Sequence, residues 1–260
     1  MKHLIVGDIA GELDALKKIH EAAKAKYGDV KVISVGDIND RGPDSKGCIQ
    51  YIMDNGDSCD SNHGQMMLAF LKPDIGTAYE DASFIMNGGV KTIASYDVSL
   101  LTKYSDLFQR TEQYWMYGDQ RPPKSDYEGL RVDLLAMMPD DHVEYLGSRP
   151  MFLEINNTLI THAPINPTVS WEKLTTDPEW KHESIGLLWN RGRPRRIEGK
   201  FQIYGHNAYN NVTDHTDEHG VYARGIDTSK VKILTGFLLE ENEYFRCTYS
   251  GVLLQEGSLG

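Results

Sequence analysis

The stretch Ile33-Ser34-Val35-Gly36-Asp37-Ile38-Asn39-Asp40-Arg41-Gly42 decides the fold. An apolar, β-branched run stops at a glycine and then delivers two carboxylates and a guanidinium within one turn. Such a run reads as a buried strand, with Gly36-Asp37 as its exit. In α/β sheets, ligands bind outside the carboxyl ends of strands. Asp37 is the first polar side chain to emerge there. It either caps the next helix or holds a metal, and Asp40 and Arg41 stand beside it.

Upstream, His3-Leu4-Ile5-Val6-Gly7-Asp8 repeats the device. Between the two runs, Leu13, Leu16, Ile19, Ala23 and Tyr27 recur at helical spacing, and Gly28 ends the helix. Strand, helix and strand make a βαβ unit. Asp8 and Asp37 are therefore expected at the same end of neighbouring parallel strands. Downstream, a helix is expected from Pro43 to about Asp54, then a short strand over Ser58-Cys59-Asp60-Ser61. Asn62 and His63 follow at its end, and a helix begins near Gln65.

From about residue 72 to 150 the texture changes to helical spacing rich in aromatic residues. We read one domain over 1–260, with this segment as a helical insertion capping the sheet. Alternation then resumes around Asn156-Asn157, a hairpin signal, and the second strand runs into His162. Trp189-Asn190-Arg191 opens an arginine tract. Phe201-Gln202-Ile203-Tyr204 is a strand ending in Gly205-His206. The runs from Gly225 to Tyr249 read as an antiparallel meander.

The chain has 260 residues and a formal net charge of −11, which argues against non-specific grip on nucleic acid or an anionic membrane. Cys48, Cys59 and Cys247 have no metal-ribbon or disulfide spacing, so reduced, buried thiols are expected. The amino terminus enters a strand directly, without a signal-peptide or transmembrane run. A cytosolic location is the expectation.

Five strand ends carry candidate metal ligands: Asp8, Asp37, Asn62, His162 and His206. A lone histidine in such a place is usually structural, but five coincident placements favour a site. Carboxylate, amide and imidazole together suit manganese, iron or zinc rather than calcium. Two ions sharing a carboxylate could clamp a phosphate and acidify water. His63 could protonate a leaving oxygen and Asp40 could orient it.

Gly-Asp-Ile-Ala-Gly at 7–11, Gly-Asp-Ile-Asn-Asp-Arg-Gly at 36–42, Asn62-His63, His162 and Gly205-His206 resemble, in order, the motifs of the calcineurin-like metallophosphoesterases. The likeness is to their phage-type serine/threonine phosphatase branch, and it extends to Gln65-Met66-Met67, Trp189-Asn190-Arg191 and Ile226-Asp227-Thr228. The resemblance implies an α/β, four-layer fold of two packed mixed sheets flanked by helices. It implies two divalent ions, manganese first and iron, zinc, nickel or cobalt as alternatives. Asp37 would bridge them, Asn62, His162 and His206 would complete one site, and Asp8 would serve the other. Arg41 and Arg191 would hold phosphate oxygens, and His63, paired with Asp40, would be the general acid.

The chain departs from the family pattern at three places. Ala10 stands where the family has a ligand histidine, and Asp60-Ser61 and Gly64 replace an arginine, a glycine and a glutamate around Asn62-His63. The expected activity is hydrolysis of a phosphomonoester on a phosphoprotein or small molecule, impaired at the first ion. The alternatives are a nucleotide, dinucleoside polyphosphate or RNA phosphoesterase, and a catalytically weak phosphate-binding protein.

Overall fold

The computed structural model describes residues 1–72, 78–176 and 186–254. Part of the polar loop after Pro164 and the start of the helical segment lie outside the described residues. The chain opens with β1 (Lys2–Val6), α1 (Leu13–Tyr27), β2 (Val30–Ser34), α2 (Ser45–Asn55), β3 (Gly56–Ser58) and α3 (Asn62–Leu71). Six helices follow: α4 (Ala78–Phe84), α5 (Val90–Tyr96), α6 (Ser99–Lys103), α7 (Ser105–Tyr117), α8 (Lys124–Met137) and α9 (Asp140–Gly147). Then come β4 (Phe152–Ile155), β5 (Thr158–Thr161), α10 (Trp171–Thr176), β6 (Phe201–Tyr204), β7 (Thr213–Asp217) and β8 (Gly220–Gly225). The last strands are β9 (Ile233–Leu238), β10 (Glu243–Thr248) and β11 (Leu253–Leu254).

The strands form two mixed sheets, ordered β11-β10-β9-β1-β2-β3 and β4-β5-β6-β8-β7. In the first, β1, β2 and β3 are parallel. In the second, β5, β6 and β8 are parallel. Alternation along each strand divides the core. Ile5, Ile33 and Phe237 of the first sheet meet Ile160 and Ile203 of the second. Leu4 and Val6 point the other way, into a layer with Leu16, Ile19, Ile49 and Ile52 of α1 and α2. Each such buried side chain contributes roughly 1.5–3 kcal/mol relative to exposure. The fold is thus the α/β, two-sheet arrangement flanked by helices that the motifs imply.

Several boundaries differ from the sequence reading. α3 begins at Asn62 rather than near Gln65, because the Ser61 hydroxyl accepts from the Gly64 amide and caps it. β3 stops at Ser58, and the Asp60 amide turns away to the Pro150 carbonyl. The stretch from Gly225 is not one meander: β8 lies in the second sheet, parallel to β6, while β9, β10 and β11 are antiparallel in the first. α4 to α9 pack chiefly on α2 and α3, so the segment flanks the helical layer rather than lying directly on a sheet. All three cysteines are free and buried.

Two histidines away from the strand ends link packing to pH. His20 and His142 are both buried. Each accepts at Nδ1 from a tyrosine, Tyr51 at 2.8 Å and Tyr96 at 2.7 Å, and each donates from Nε2, His20 to the Val30 backbone carbonyl and His142 to the side-chain oxygen of Gln50. Burial lowers both rings from their ordinary value. The unfolded chain therefore binds protons first as pH falls. Stability is expected to be full above about pH 6.5 and to decline below it as the lowered values are approached. Urea midpoints measured between pH 7.5 and 5 should fall, and His142→Gln should flatten the slope; an unchanged slope would assign the pH dependence elsewhere.

Candidate metal and phosphate site

The carboxyl ends of six parallel strands, three from each sheet, meet at one edge of the sandwich. Asp8 follows β1, Asp37 follows β2 and Asn62 opens α3 just after β3, while His162 follows β5, His206 follows β6 and Asp227 follows β8. All six side chains are buried. The loops are tightly bent: Ala10, Asp37, Asp40, Arg41 and His206 all have positive φ. Non-glycine residues held there cost of order 1–3 kcal/mol each and mark places where surroundings dictate the backbone. The two sheets also approach closely. A Cβ on Gly205 would collide with the Asp8 carboxylate, and the His206 amide donates to both Asp8 oxygens at 3.1 and 3.2 Å.

His162 and His206 are oriented in the same way. His162 Nδ1 lies 3.2 Å from the Val35 carbonyl, and its Nε2 faces the site. That Nε2 lies 2.7 Å from Asn62 Oδ1 and 3.4 Å from Asp37 Oδ1. The His206 ring hydrogen-bonds the Trp189 backbone, and its buried Nε2 has no partner. The two rings are 4.9 Å apart. Burial lowers both rings, His206 to about 3, so both are neutral. Burial pushes the Asp37 carboxyl up, but surrounding positive charge, from His63 and Arg41 above all, outweighs it and holds it below its ordinary value. Two imidazole rings, an amide oxygen and a carboxylate thus converge, with His206 Nε2 left unpartnered. A second ring nitrogen tied to a backbone carbonyl is how proteins orient ligand histidines.

The other half of the site is crowded with negative charge. Burial, together with Asp227 and Asp37, raises the Asp8 carboxyl well above its ordinary value, and burial likewise raises Asp227. The Asp8 and Asp227 carboxyls are hydrogen-bonded to each other. Ala10 sits beside them, its amide on the Asp37 carbonyl at 2.7 Å and its carbonyl on the Gly42 amide at 2.8 Å. Position 10 is therefore woven into both motif loops while offering no side-chain donor. Among the described residues, no three His, Cys, Asp or Glu side chains are closed into ready coordination geometry; the donors are gathered around the site but bonded to one another.

His63, on the first turn of α3, gives its amide to Asp37 Oδ1 at 3.3 Å. Its Nδ1 is 2.6 Å from Asp40 Oδ2, and its Nε2 is 2.7 Å from Arg41 Nη2. Burial pulls this ring down, but Asp37 and Asp40 outweigh it and raise it above its ordinary value. Asp40 is fully buried; its other oxygen accepts from the Thr92 hydroxyl at 2.6 Å. Arg191 hydrogen-bonds the His206 carbonyl at 3.2 Å, at the same rim as the histidines. The rest of the arginine tract is committed elsewhere: Arg193 to Tyr222, Arg195 to the Val169 carbonyl and Arg196 to Asp217.

Every residue singled out from the sequence is thus part of one assembly, in two lobes joined by Asp37. Sequence reasoning quoted Ile226-Asp227-Thr228 without giving Asp227 a role, and it missed Thr92, Ser45 and Gly88. Asp227 had a signal, since it follows a strand that ends in a glycine, one residue further on than Asp8 and Asp37 do. Thr92, one threonine on an ordinary helix, had none.

No model of a known protein family matches this sequence, and no curated protein is similar to it. Solved structures are similar in fold. One is provisionally named a diadenosine tetraphosphatase, 19% identical, with 100% of this chain and 95% of that chain covered and a TM-score of 0.55. Another is a mutant of a cold-active protein tyrosine phosphatase, 16% identical over 98% of this chain and 80% of that one, with a TM-score of 0.54. A second structure of a cold-active protein tyrosine phosphatase is 17% identical, covers 100% of this chain and 80% of that one, and has a TM-score of 0.51. Among the described residues, no helix is long and apolar enough to cross a membrane.

Proposed function

We propose that this protein is a metal-dependent phosphoesterase that hydrolyses a phosphomonoester, on a phosphoprotein or a small molecule, as the bacteriophage lambda serine/threonine phosphatase resemblance implies. The observation that carries the reading is the pair of buried histidines beside the ionised Asp37, His206 with an unpartnered Nε2 and His162 with its Nε2 on Asn62 Oδ1. Asp37, Asn62, His162 and His206 would hold one divalent ion. Asp37 and Asp8 would hold a second, with Asp227 behind Asp8. The oxygen-rich donor set favours manganese. Bound ions would supply charge for the phosphoryl oxygens and acidify water near neutral pH.

The chain's own residues then bind and move protons. Arg41 and Arg191, from opposite sheets, suit the phosphate oxygens through the guanidinium fork. In the resting arrangement Arg41 donates to His63 Nε2. A phosphate that draws Arg41 away frees that nitrogen. Asp37 and Asp40 favour the charged ring, so Nε2 can carry a proton toward the leaving oxygen.

A second reading, hydrolysis of a dinucleoside polyphosphate, is favoured by the full-length similarity to the structure provisionally named a diadenosine tetraphosphatase. Ala10 motivates a third, a slow enzyme that chiefly binds its phosphorylated ligand. One experiment separates them: the protein and Ala10→His, each with manganese, assayed on p-nitrophenyl phosphate, a phosphoserine peptide and diadenosine tetraphosphate, alongside calorimetric metal titration. The expected result is phosphomonoester hydrolysis that rises in Ala10→His as the weaker ion tightens. Preference for diadenosine tetraphosphate selects the second reading. Tight phosphopeptide binding without turnover in either form selects the third. No metal binding and no hydrolysis by either form would overturn all three.

A further inference from the structure

α5 belongs to the helical segment, yet it enters the site. The Thr92 hydroxyl lies 2.6 Å from Asp40 Oδ1, 3.0 Å from the Asp40 amide and 2.9 Å from the Ser45 hydroxyl. Ser45 Oγ lies 3.0 Å from the same amide. Thr92, Ser45, Asp40 and His63 are all buried. The directions of these bonds follow by elimination. An ionised carboxylate only accepts, so the single Thr92 hydroxyl proton goes to Asp40 Oδ1. Thr92 Oγ1 must then accept from the Ser45 hydroxyl. The Asp40 amide is shared between the two hydroxyl oxygens. Asp40 Oδ2 is left to accept from His63 Nδ1, and His63 Nε2 faces Arg41. Donors therefore converge on the Asp40 carboxylate, Ser45 through Thr92 on one oxygen and His63 on the other. The first of these arms begins on α2 and passes through α5.

The backbone supports the same link. The Arg41 amide donates to the Gly88 carbonyl at 3.3 Å, at the kink between α4 and α5 where Gly88 has φ 115°. A side chain at Gly88 would press into the Arg41 backbone and Cγ. The helical segment thus touches both Asp40 and Arg41, which hydrogen-bond the two nitrogens of the His63 ring.

We infer that Thr92 is a positioning residue: by fixing the Asp40 carboxylate it keeps the His63 proton on Nδ1 and its Nε2 turned toward the leaving oxygen. The inference rests on the phosphoesterase reading and adds that the helical segment supplies part of the proton-transfer machinery. Thr92→Val has nearly the same shape and removes the donor, leaving one Asp40 oxygen buried without a partner.

The test uses the full chain with manganese. Partners that orient metal-ligating histidines are typically worth about 10–100-fold, and the same scale is taken for Thr92. Thr92→Val is expected to lower kcat for an alkyl phosphomonoester by about that factor, with KM little changed and p-nitrophenyl phosphate nearly unaffected, and Thr92→Ser should restore the alkyl rate. An activity-free measurement accompanies it: long-range ¹⁵N NMR of the His63 ring should report a changed Nδ1 proton in Thr92→Val and a normal one in Thr92→Ser. If Thr92→Val does not fold, Ser45→Ala, which removes the donor to Thr92, should give the same pattern more weakly. Equal slowing of both ester classes, or an unchanged His63 signal in a folded Thr92→Val, would overturn the inference. If the parent protein hydrolyses neither ester, the phosphoesterase reading fails while the NMR comparison still decides whether Thr92 sets the His63 proton.

Discussion

Replacing His63 with Asn is expected to slow hydrolysis of alkyl phosphomonoesters by about 10²–10⁴-fold, the usual worth of a general acid. p-Nitrophenyl phosphate should lose far less, because p-nitrophenolate departs without a proton. The contrast follows from the placement of His63, with Asp40 fixing Nδ1 and Arg41 covering Nε2 until a phosphate arrives. Asn keeps a polar side chain on the first turn of α3 and leaves the His63 backbone amide, which reaches Asp37, in place. The comparison is best made in an Ala10→His background, where turnover should be higher. A parallel drop for aryl and alkyl substrates would instead give His63 a role in holding Asp37 or the substrate.

The second large effect concerns stability. Arg131 and Asp81 form an ion pair at 2.9 Å with both side chains essentially inaccessible. Arg131 also donates to the Phe70 carbonyl and to Glu128, tying α8 to α3 and α4. Removing one partner of such a pair leaves a buried charge uncompensated, typically costing about 3–5 kcal/mol. Asp81→Ala should therefore lower the unfolding free energy measured in urea by an amount near the lower end of that range, since Glu128 remains to Arg131. The double variant Asp81→Leu with Arg131→Met should recover much of the loss, because apolar replacements of similar volume are often neutral or better. A loss under about 1 kcal/mol in Asp81→Ala would mean that water reaches Arg131 once the carboxylate is gone.

The legible part of the molecule was the part in which backbone and chemistry coincide. Gly7-Asp8, Gly36-Asp37 and Gly205-His206 each join a β-branched run to a polar residue, so each announced both a strand end and a donor. The hairpin at Asn156 was readable because its positive φ suits that residue. β7 was not readable: Thr213-Asp214-His215-Thr216-Asp217 is a polar strand at the edge of its sheet, without apolar alternation. The partner of each strand was also hidden. β8 and β9 follow one another, yet they belong to different sheets, and side-chain alternation says which face is buried but not which neighbour is paired. The α3 start was missed because Ser61 looked like strand, whereas its hydroxyl acts on the amide three residues on. Thr92 meets Asp40 through tertiary packing alone.

The strand order of the first sheet also bears on how the chain reaches this state. β1 lies between β2 and β9, so Leu4 pairs with Leu238 and Ile5 with Phe237. The amino-terminal strand keeps one bare edge until nearly the whole chain is available. Pairings this distant in sequence close late, since loop entropy is lost before the contact is gained. A partly made chain carrying β1, β2 and α1 therefore exposes an apolar edge and lacks the histidines at 162 and 206. Such an intermediate is prone to associate with its own kind. It also cannot gather the full donor set, so the candidate site is complete only once the second sheet closes.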